Sequence, residues 1–206
     1  MYTYTFETPS IVKWIYPSLT WQMPDDGHSV YLTFDDGPHP EITPQVLSQL
    51  EMAKAKASFF CVGENVARYP EVIHQIRSQG HSLGNHTQHH LNGFKTDLET
   101  YLADVAACQS LLNTRLFRPP YGKISRRQLQ ALVQDYRIIM WSQLSGDFDK
   151  ELNPEKFIRH LEKRLKPGDI IVLHDSEKAA QNLFYLLPRL LELCQQRNFE
   201  LKAIPQ

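Results

Sequence analysis

Two adjacent carboxylates, Asp35 and Asp36, close the apolar run Val30 to Phe34 in the stretch VYLTFDDGP, just before the Gly37-Pro38 break. Neighbouring anions repel, and burial raises the cost of charging either, so a purely structural design would separate them. A turn cap accounts for one aspartate, not for two. Consecutive residues at a strand end point different ways, so one can hold a cation while the other stays available as a base, the cation offsetting the repulsion. The segment HSLGNHTQHH supplies complementary groups: His86 and His90 lie four residues apart and overlie each other if the chain turns helically there. Two imidazoles and a carboxylate form a metal site with positions open to water and substrate. An isolated H-x-x-x-H also describes a pair of surface histidines, and His81 and His89 in the same segment read as structural or exposed.

The elements that must position these groups follow from periodicity. Short β-rich runs are expected at 30–34, 57–62, 81–86, 116–119, 137–142, 169–174 and 199–204, with helical patterns between them. Helix starts are signalled by Thr43-Pro44, by Thr96-x-x-Glu99 and Ser125-x-x-Gln128 as capping boxes, and by Asn153-Pro154; Gly80 and Gly168 mark stops. This alternation predicts parallel strands with crossover helices, as an open doubly wound sheet or as a barrel. In either arrangement the C-terminal strand ends share one face. Asp35 and Asp36, His86 and His90, Arg118, Asp147, and His174 with Asp175 all fall at or just beyond such ends, so residues scattered in sequence are expected to meet in space.

Composition narrows the function class. With 22 Lys+Arg against 23 Asp+Glu, the chain lacks the basic surplus of a nucleic-acid binder. Its apolar runs are too short for a membrane span, and MYTYTFETPSIVKW lacks the basic-then-apolar order of a secretory signal, so the expected location is cytoplasmic. Cys61, Cys108 and Cys194 are odd in number, widely spaced and without C-x-x-C, which predicts buried inert thiols.

Taken in order, TFDDGP, His86-Thr-Gln-His-His90, Arg118-Pro-Pro-Tyr-Gly122, the stretch Trp141 to Phe148, and Leu173-His174-Asp175 resemble the five motifs of the polysaccharide deacetylases, the family-4 carbohydrate esterases. The likeness runs over residues 30 to 204. What it implies is a single α/β domain, a distorted seven-stranded (β/α) barrel over residues 30–206; residues 1–29, with Trp14, Tyr16, Pro17, Trp21 and Pro24, read from their own composition as an irregular lead packed on it. The implied activity is removal of an N-acetyl, in some members O-acetyl, group from a sugar polymer or oligomer. By matching position, Asp35 is the expected base, and Asp36, His86 and His90 the ligands of a divalent ion, zinc foremost, with cobalt or nickel as alternatives. Arg118 would orient the base and His174 would be the acid. Pro119, Tyr121, Trp141 and Leu173 would be the substrate-binding set, Tyr121 through its backbone N–H and the last two around the acetyl group.

One stretch departs from the pattern. WSQLSGDFD carries Leu144 and Phe148 where the family often has Asp and Trp, so the acid partner of His174 is Asp147 or is absent. Three other readings compete with the deacetylase. A facial-triad iron oxygenase would leave Asp35, Arg118 and His174 unexplained. A sugar-binding pseudoenzyme would draw on the missing aspartate at 144, and a hydrolase of another small amide would keep the chemistry and change the substrate. Nucleic acid and membrane are not expected partners, and the sequence does not specify an oligomeric state.

Overall fold

The computed structural model describes residues 4–206, so the first three positions of the expected lead lie outside the described residues. The strands are β1 (Ser29–Asp35), β2 (Ala57–Cys61), β3 (Ser82–Asn85), β4 (Leu116–Phe117), β5 (Arg137–Ile138), β6 (Gln143–Leu144), β7 (Ile170–His174) and β8 (Glu200–Leu201). Helices α1 (Ser10–Ile15), α2 (Ile42–Met52), α3 (Gly63–Arg68), α4 (Pro70–Ser78), α5 (Leu98–Leu112), α6 (Arg126–Leu132), α7 (Glu155–Arg164) and α8 (Ala180–Gln196) surround them. The strand order is β5-β4-β3-β2-β1-β7-β6, all pairs being parallel, with β8 beside the start of β1.

The one strand expected over 137–142 is divided between the two ends of the curled sheet. Its first half pairs with β4, Ile139 N–H donating to the Phe117 carbonyl at 2.8 Å. Its second half pairs with β7, Ser142 N–H donating to the Ile170 carbonyl at 3.1 Å. A continuous run of chain thus supplies both end strands of the sheet, and bridges from the lead, Thr20 to Ile139 and Glu7 to Gln143, cover it. The lead lies along this run: Thr20 N–H bonds the Ile138 carbonyl at 2.9 Å and Leu144 N–H bonds the Phe6 carbonyl at 2.7 Å. It is not wholly irregular as expected, because Pro9, with φ −59°, presets the entry to α1.

Alternation along the strands separates two apolar regions. Leu32 and Phe34 of β1, Phe59 of β2, and Ile171 and Leu173 of β7 point outward, meeting Val46 and Leu50 of α2, Phe157 and Leu161 of α7, and Leu183, Leu186 and Leu190 of α8. The three- and four-residue spacing of those helical positions gives each helix one apolar face. Tyr31, Phe60, Leu116, Ile139 and Ile170 form a separate cluster with Met23 and Ile204. On β1 the alternation that turns Tyr31 away from the outer core continues through Thr33 to Asp35.

Helix α5 starts one residue later than its Thr96 signal suggested. Asp97 is extended and caps it, accepting from Thr100 N–H at 2.9 Å, while the Thr96 hydroxyl donates to Asn92. The Ser125–Gln128 capping box forms as expected. All three cysteines are buried and free. Among the described residues no helix is long and apolar enough to cross a membrane.

Candidate active site

Arg118 is wholly buried beyond the end of β4 and organises the barrel mouth. Its NH1 donates to Thr33 Oγ1 at 2.7 Å and to Asp35 Oδ1 at 2.6 Å, while Nε and NH2 donate to the carbonyls of Ile139 and Met140 at 3.1 and 2.9 Å. Those carbonyls belong to the bend between β5 and β6. The guanidinium carbon lies 4.1 Å from the centroid of the Phe60 ring. Burial pulls the guanidinium pKa down and Asp35 opposes that pull. Removing either partner alone would strand a buried charge, at a cost of about 3–5 kcal/mol.

The backbone carbonyl of Arg118 also accepts the Nδ1–H of His86 at 2.7 Å, so the lone pair of His86 is on Nε2. His86 Nε2 lies 3.7 Å and His90 Nε2 3.1 Å from Asp36 Oδ1. Ligand atoms of all three residues fall within 4.8 Å of one another. The helical turn expected between the histidines is not what joins them. Residues 86–92 are not helical; Thr87 and His90 take left-handed conformations, φ 64° and 56°, and fold the loop so that the ring centroids are 5.0 Å apart. Asp36 is left-handed too, φ 78°.

The trio suits a divalent cation. Burial lowers the His86 pKa to about 4, keeping a neutral imidazole available, and His90 Nδ1 is engaged by the Tyr121 hydroxyl at 3.1 Å. Burial resists ionisation of Asp36, but the His90 hydrogen bond and the charge of His174 outweigh it and hold the carboxyl below the usual range. One carboxylate and two imidazole nitrogens are a set that zinc and its neighbours accept.

Across the mouth, His174 Nδ1 bonds Asp147 Oδ1 at 2.7 Å, and His174 N–H donates to Asp147 Oδ2 at 2.8 Å. Asp147 is completely buried, and its carbonyl is held by the Asn182 side chain at 3.0 Å. Burial works against the imidazolium, but the Asp147 carboxylate prevails and raises His174 to about 9. Asp175 serves the DDGP turn: it accepts Gly37 N–H at 3.1 Å and the Thr43 hydroxyl at 2.5 Å, and burial pushes it up to about 8. A Cβ on Gly37 would collide with that carboxylate, which is why glycine stands there.

Asp35, Asp36, His86, His90, Tyr121, Trp141 and His174 all line one cavity of about 490 Å³. Tyr121 is itself left-handed and 60% exposed, and a Cβ on the following Gly122 would stand 2.6 Å from the Trp141 ring. Two expected substrate contacts are absent from the lining. Leu173 points outward into the helix-facing core, because neighbouring strand residues face opposite ways, and Val172 takes the inward place. Pro119 is buried in front of the Pro120–Gly122 turn and shapes it instead. Sequence reasoning did not assign Tyr4, Lys123, Val172 or Lys178 to this cavity. Tyr4 comes from the lead: it seats on Gly146, whose φ of 74° and missing Cβ make room, and its ring centroid lies 5.4 Å from that of Phe148. No pattern in the sequence signals that contact, whereas β-alternation could have found Val172.

The polysaccharide deacetylase family model matches residues 22–136. The chain is 31% identical to a peptidoglycan-N-acetylglucosamine deacetylase of Bacillus cereus, over 91% of this chain and 92% of that protein. It is 32% identical to a chitooligosaccharide deacetylase of Azorhizobium caulinodans, over 86% and 93% respectively. A solved structure of a peptidoglycan N-acetylglucosamine deacetylase in complex with 4-naphthalen-1-yl-N-oxidanyl-benzamide superposes with a TM-score of 0.87 at 28% identity, covering 96% of this chain and 95% of that one. The barrel described above is therefore shared with these proteins, and the chain belongs to the polysaccharide deacetylase family.

Proposed function

We propose that this protein is a divalent-metal-dependent hydrolase that removes the N-acetyl group from an acetylated amino-sugar oligomer or polymer. One observation carries the reading: the Asp36, His86 and His90 trio shares a cavity with an arginine-held aspartate and an aspartate-held histidine. The activities for which the similar proteins are named, on peptidoglycan and chitooligosaccharides, support the substrate class.

Asp36, His86 and His90 would hold the ion, with zinc or cobalt suited to the donor set. When bound, such an ion supplies Lewis-acid chemistry, acidifying water and polarising the acetyl carbonyl. Arg118 grips Asp35 Oδ1, leaving Oδ2 to take a proton from water as its oxygen attacks the carbonyl carbon. The C–N bond then breaks, and the leaving nitrogen needs a proton because an amide anion departs poorly. His174 supplies it from Nε2: Asp147 occupies Nδ1, and with a pKa of about 9 the ring is charged near neutrality. That charged donor favours amide over ester substrates, since an alkoxide leaves more readily than an amide anion. Acetate and a free amine result.

The test is acetate release across chitooligosaccharides, peptidoglycan fragments, acetylated xylan and small amides. Turnover is expected on the N-acetylated sugars; turnover confined to small non-sugar amides would overturn the substrate assignment. Within the N-acetylated series, Tyr4→Ala is expected to raise KM for an oligomer about 2- to 10-fold, the value of one lost stacking surface. Its kcat, and its kinetics on a monosaccharide amide too short to reach that wall, should stay near parental. A uniform loss on both would show that Tyr4 supports the fold and not the sugar.

A further inference from the structure

Asp104 lies on α5, which places no side chain in the cavity wall, and it is buried. Its Oδ2 accepts the backbone N–H of Gln88 at 2.9 Å and of His89 at 3.0 Å, and its Oδ1 meets His89 Nδ1 at 2.5 Å. A carboxylate that takes two consecutive N–H groups fixes both peptide planes. Those planes lie between His86 and His90, in a loop that must keep Thr87 and His90 left-handed against the preference of residues with a side chain. The other supports of this loop are neutral: Thr87 N–H to Asn85 Oδ1 at 2.8 Å, Leu91 N–H to Thr87 Oγ1 at 3.1 Å, Gly63 N–H to the Thr87 carbonyl at 2.9 Å, Glu64 N–H to the Gln88 carbonyl at 3.0 Å, and a second, longer bond of Gln88 N–H to the backbone carbonyl of Asp104 at 3.2 Å. Hydrogen bonds to a charged acceptor are about twice as strong as neutral ones.

We propose that Asp104 is a positioning residue for the metal site: by clamping the amides of Gln88 and His89 it sets the loop that brings His90 Nε2 to Asp36 and His86. It acts through backbone alone and touches none of the three ligand side chains. His89 contributes a ring that stays largely outside and closes the clamp's far side. The proposal rests on the metal-binding part of the reading above and is independent of the substrate.

Metal affinity and geometry are therefore the readouts. Zn²⁺ affinity, from competition with a chromophoric chelator, and the visible absorption of the Co²⁺ form would be compared in the parent, Asp104→Ala, Asp104→Ser, Asp104→Asn and His89→Ala. Losing an outer partner of this kind weakens a metal site about 10- to 100-fold, so Asp104→Ala and Asp104→Ser are expected to show that loss with altered Co²⁺ bands. Serine keeps the pocket polar yet is too short to span both amides, which guards against misfolding of the alanine variant. Asp104→Asn, whose amide oxygen can still accept both N–H groups, should recover most of the affinity, and His89→Ala, which spares the backbone bonds, should stay near the parent. Parental affinity and an unchanged Co²⁺ spectrum in a folded alanine or serine variant would overturn the proposal. A parent that binds Zn²⁺ yet releases no acetate would fail the substrate reading and leave this one standing; a parent that binds no divalent ion would overturn both.

Discussion

Asp36→Ala is expected to lose the divalent ion and hydrolysis together, whereas Asp35→Asn keeps the ion and loses turnover by about 10²- to 10⁴-fold, the usual contribution of a general base. The contrast comes from two residues adjacent in sequence with different partners. Asp36 is the carboxylate of the trio, with its Oδ1 3.1 Å from His90 Nε2. Asp35 faces Arg118, 2.6 Å away. An asparagine at 35 still offers an oxygen to the guanidinium, keeping the hydrogen bond at the cost of the charge pairing, but its amide cannot accept a proton from water. Bound metal by mass spectrometry and kcat on an N-acetylated oligosaccharide decide the matter. Stripping the parent with a chelator should likewise abolish activity, and Zn²⁺ or Co²⁺ should restore it. Near-parental turnover in Asp35→Asn would remove it from the base role, and full activity in metal-free protein would remove the ion from the reaction.

The second large effect belongs to His174. His174→Ala should depress hydrolysis of an N-acetyl sugar by about 10²-fold or more while sparing an activated aryl acetate, whose phenolate leaves without a proton. A histidine that only supports the fold would depress both alike. The same dyad sets a pH limit. The pKa of His174 is raised to about 9, so the protonated ring persists below that value, and amide hydrolysis is expected to fall as pH rises through it. Asp147→Asn removes the carboxylate that raises it, and the alkaline limb should move to lower pH. Stability carries the same sign: with the folded value above the free one, the contribution of the dyad is full below about pH 6.5 and fades as pH rises toward 9. An alkaline limb unmoved by Asp147→Asn would separate Asp147 from the acid.

Much of this site was legible because its residues are tied to strand ends, and strand ends can be read from short apolar runs. Asp35, His86, Arg118 and His174 needed only the parallel alternation to be brought to one mouth. Where the expectation failed, the cause was local backbone that sequence periods do not encode. His86 and His90 meet through two left-handed residues and not through a helical turn, and nothing in HTQHH marks those conformations. The family resemblance places Leu173 at the acetyl pocket, although alternation on β7 gives the lining place to Val172. The division of 137–142 between two sheet edges is invisible in RIIMWS, which reads as one uninterrupted strand. Tyr4 and Asp104 act across long sequence distances through a glycine and through two amides, and neither contact leaves a pattern of residue types.

The shared run between β5 and β6 also bears on the order in which the molecule comes together. Arg118 reaches Asp35 across 83 positions, and Thr33 reaches Ile171 across 138, so the mouth is stitched from contacts remote along the chain. Remote contacts form late, because the entropy of closing long loops must be met before they give anything back. The guanidinium joins the run that leaves β5 to the aspartate at the end of β1, so its full set of partners is complete only when β1 has come beside β4 and β5 across the sheet. Helical signal should therefore return early in refolding, carried by local turns, while metal binding and activity return together in the final step, when the strand ends meet at one mouth.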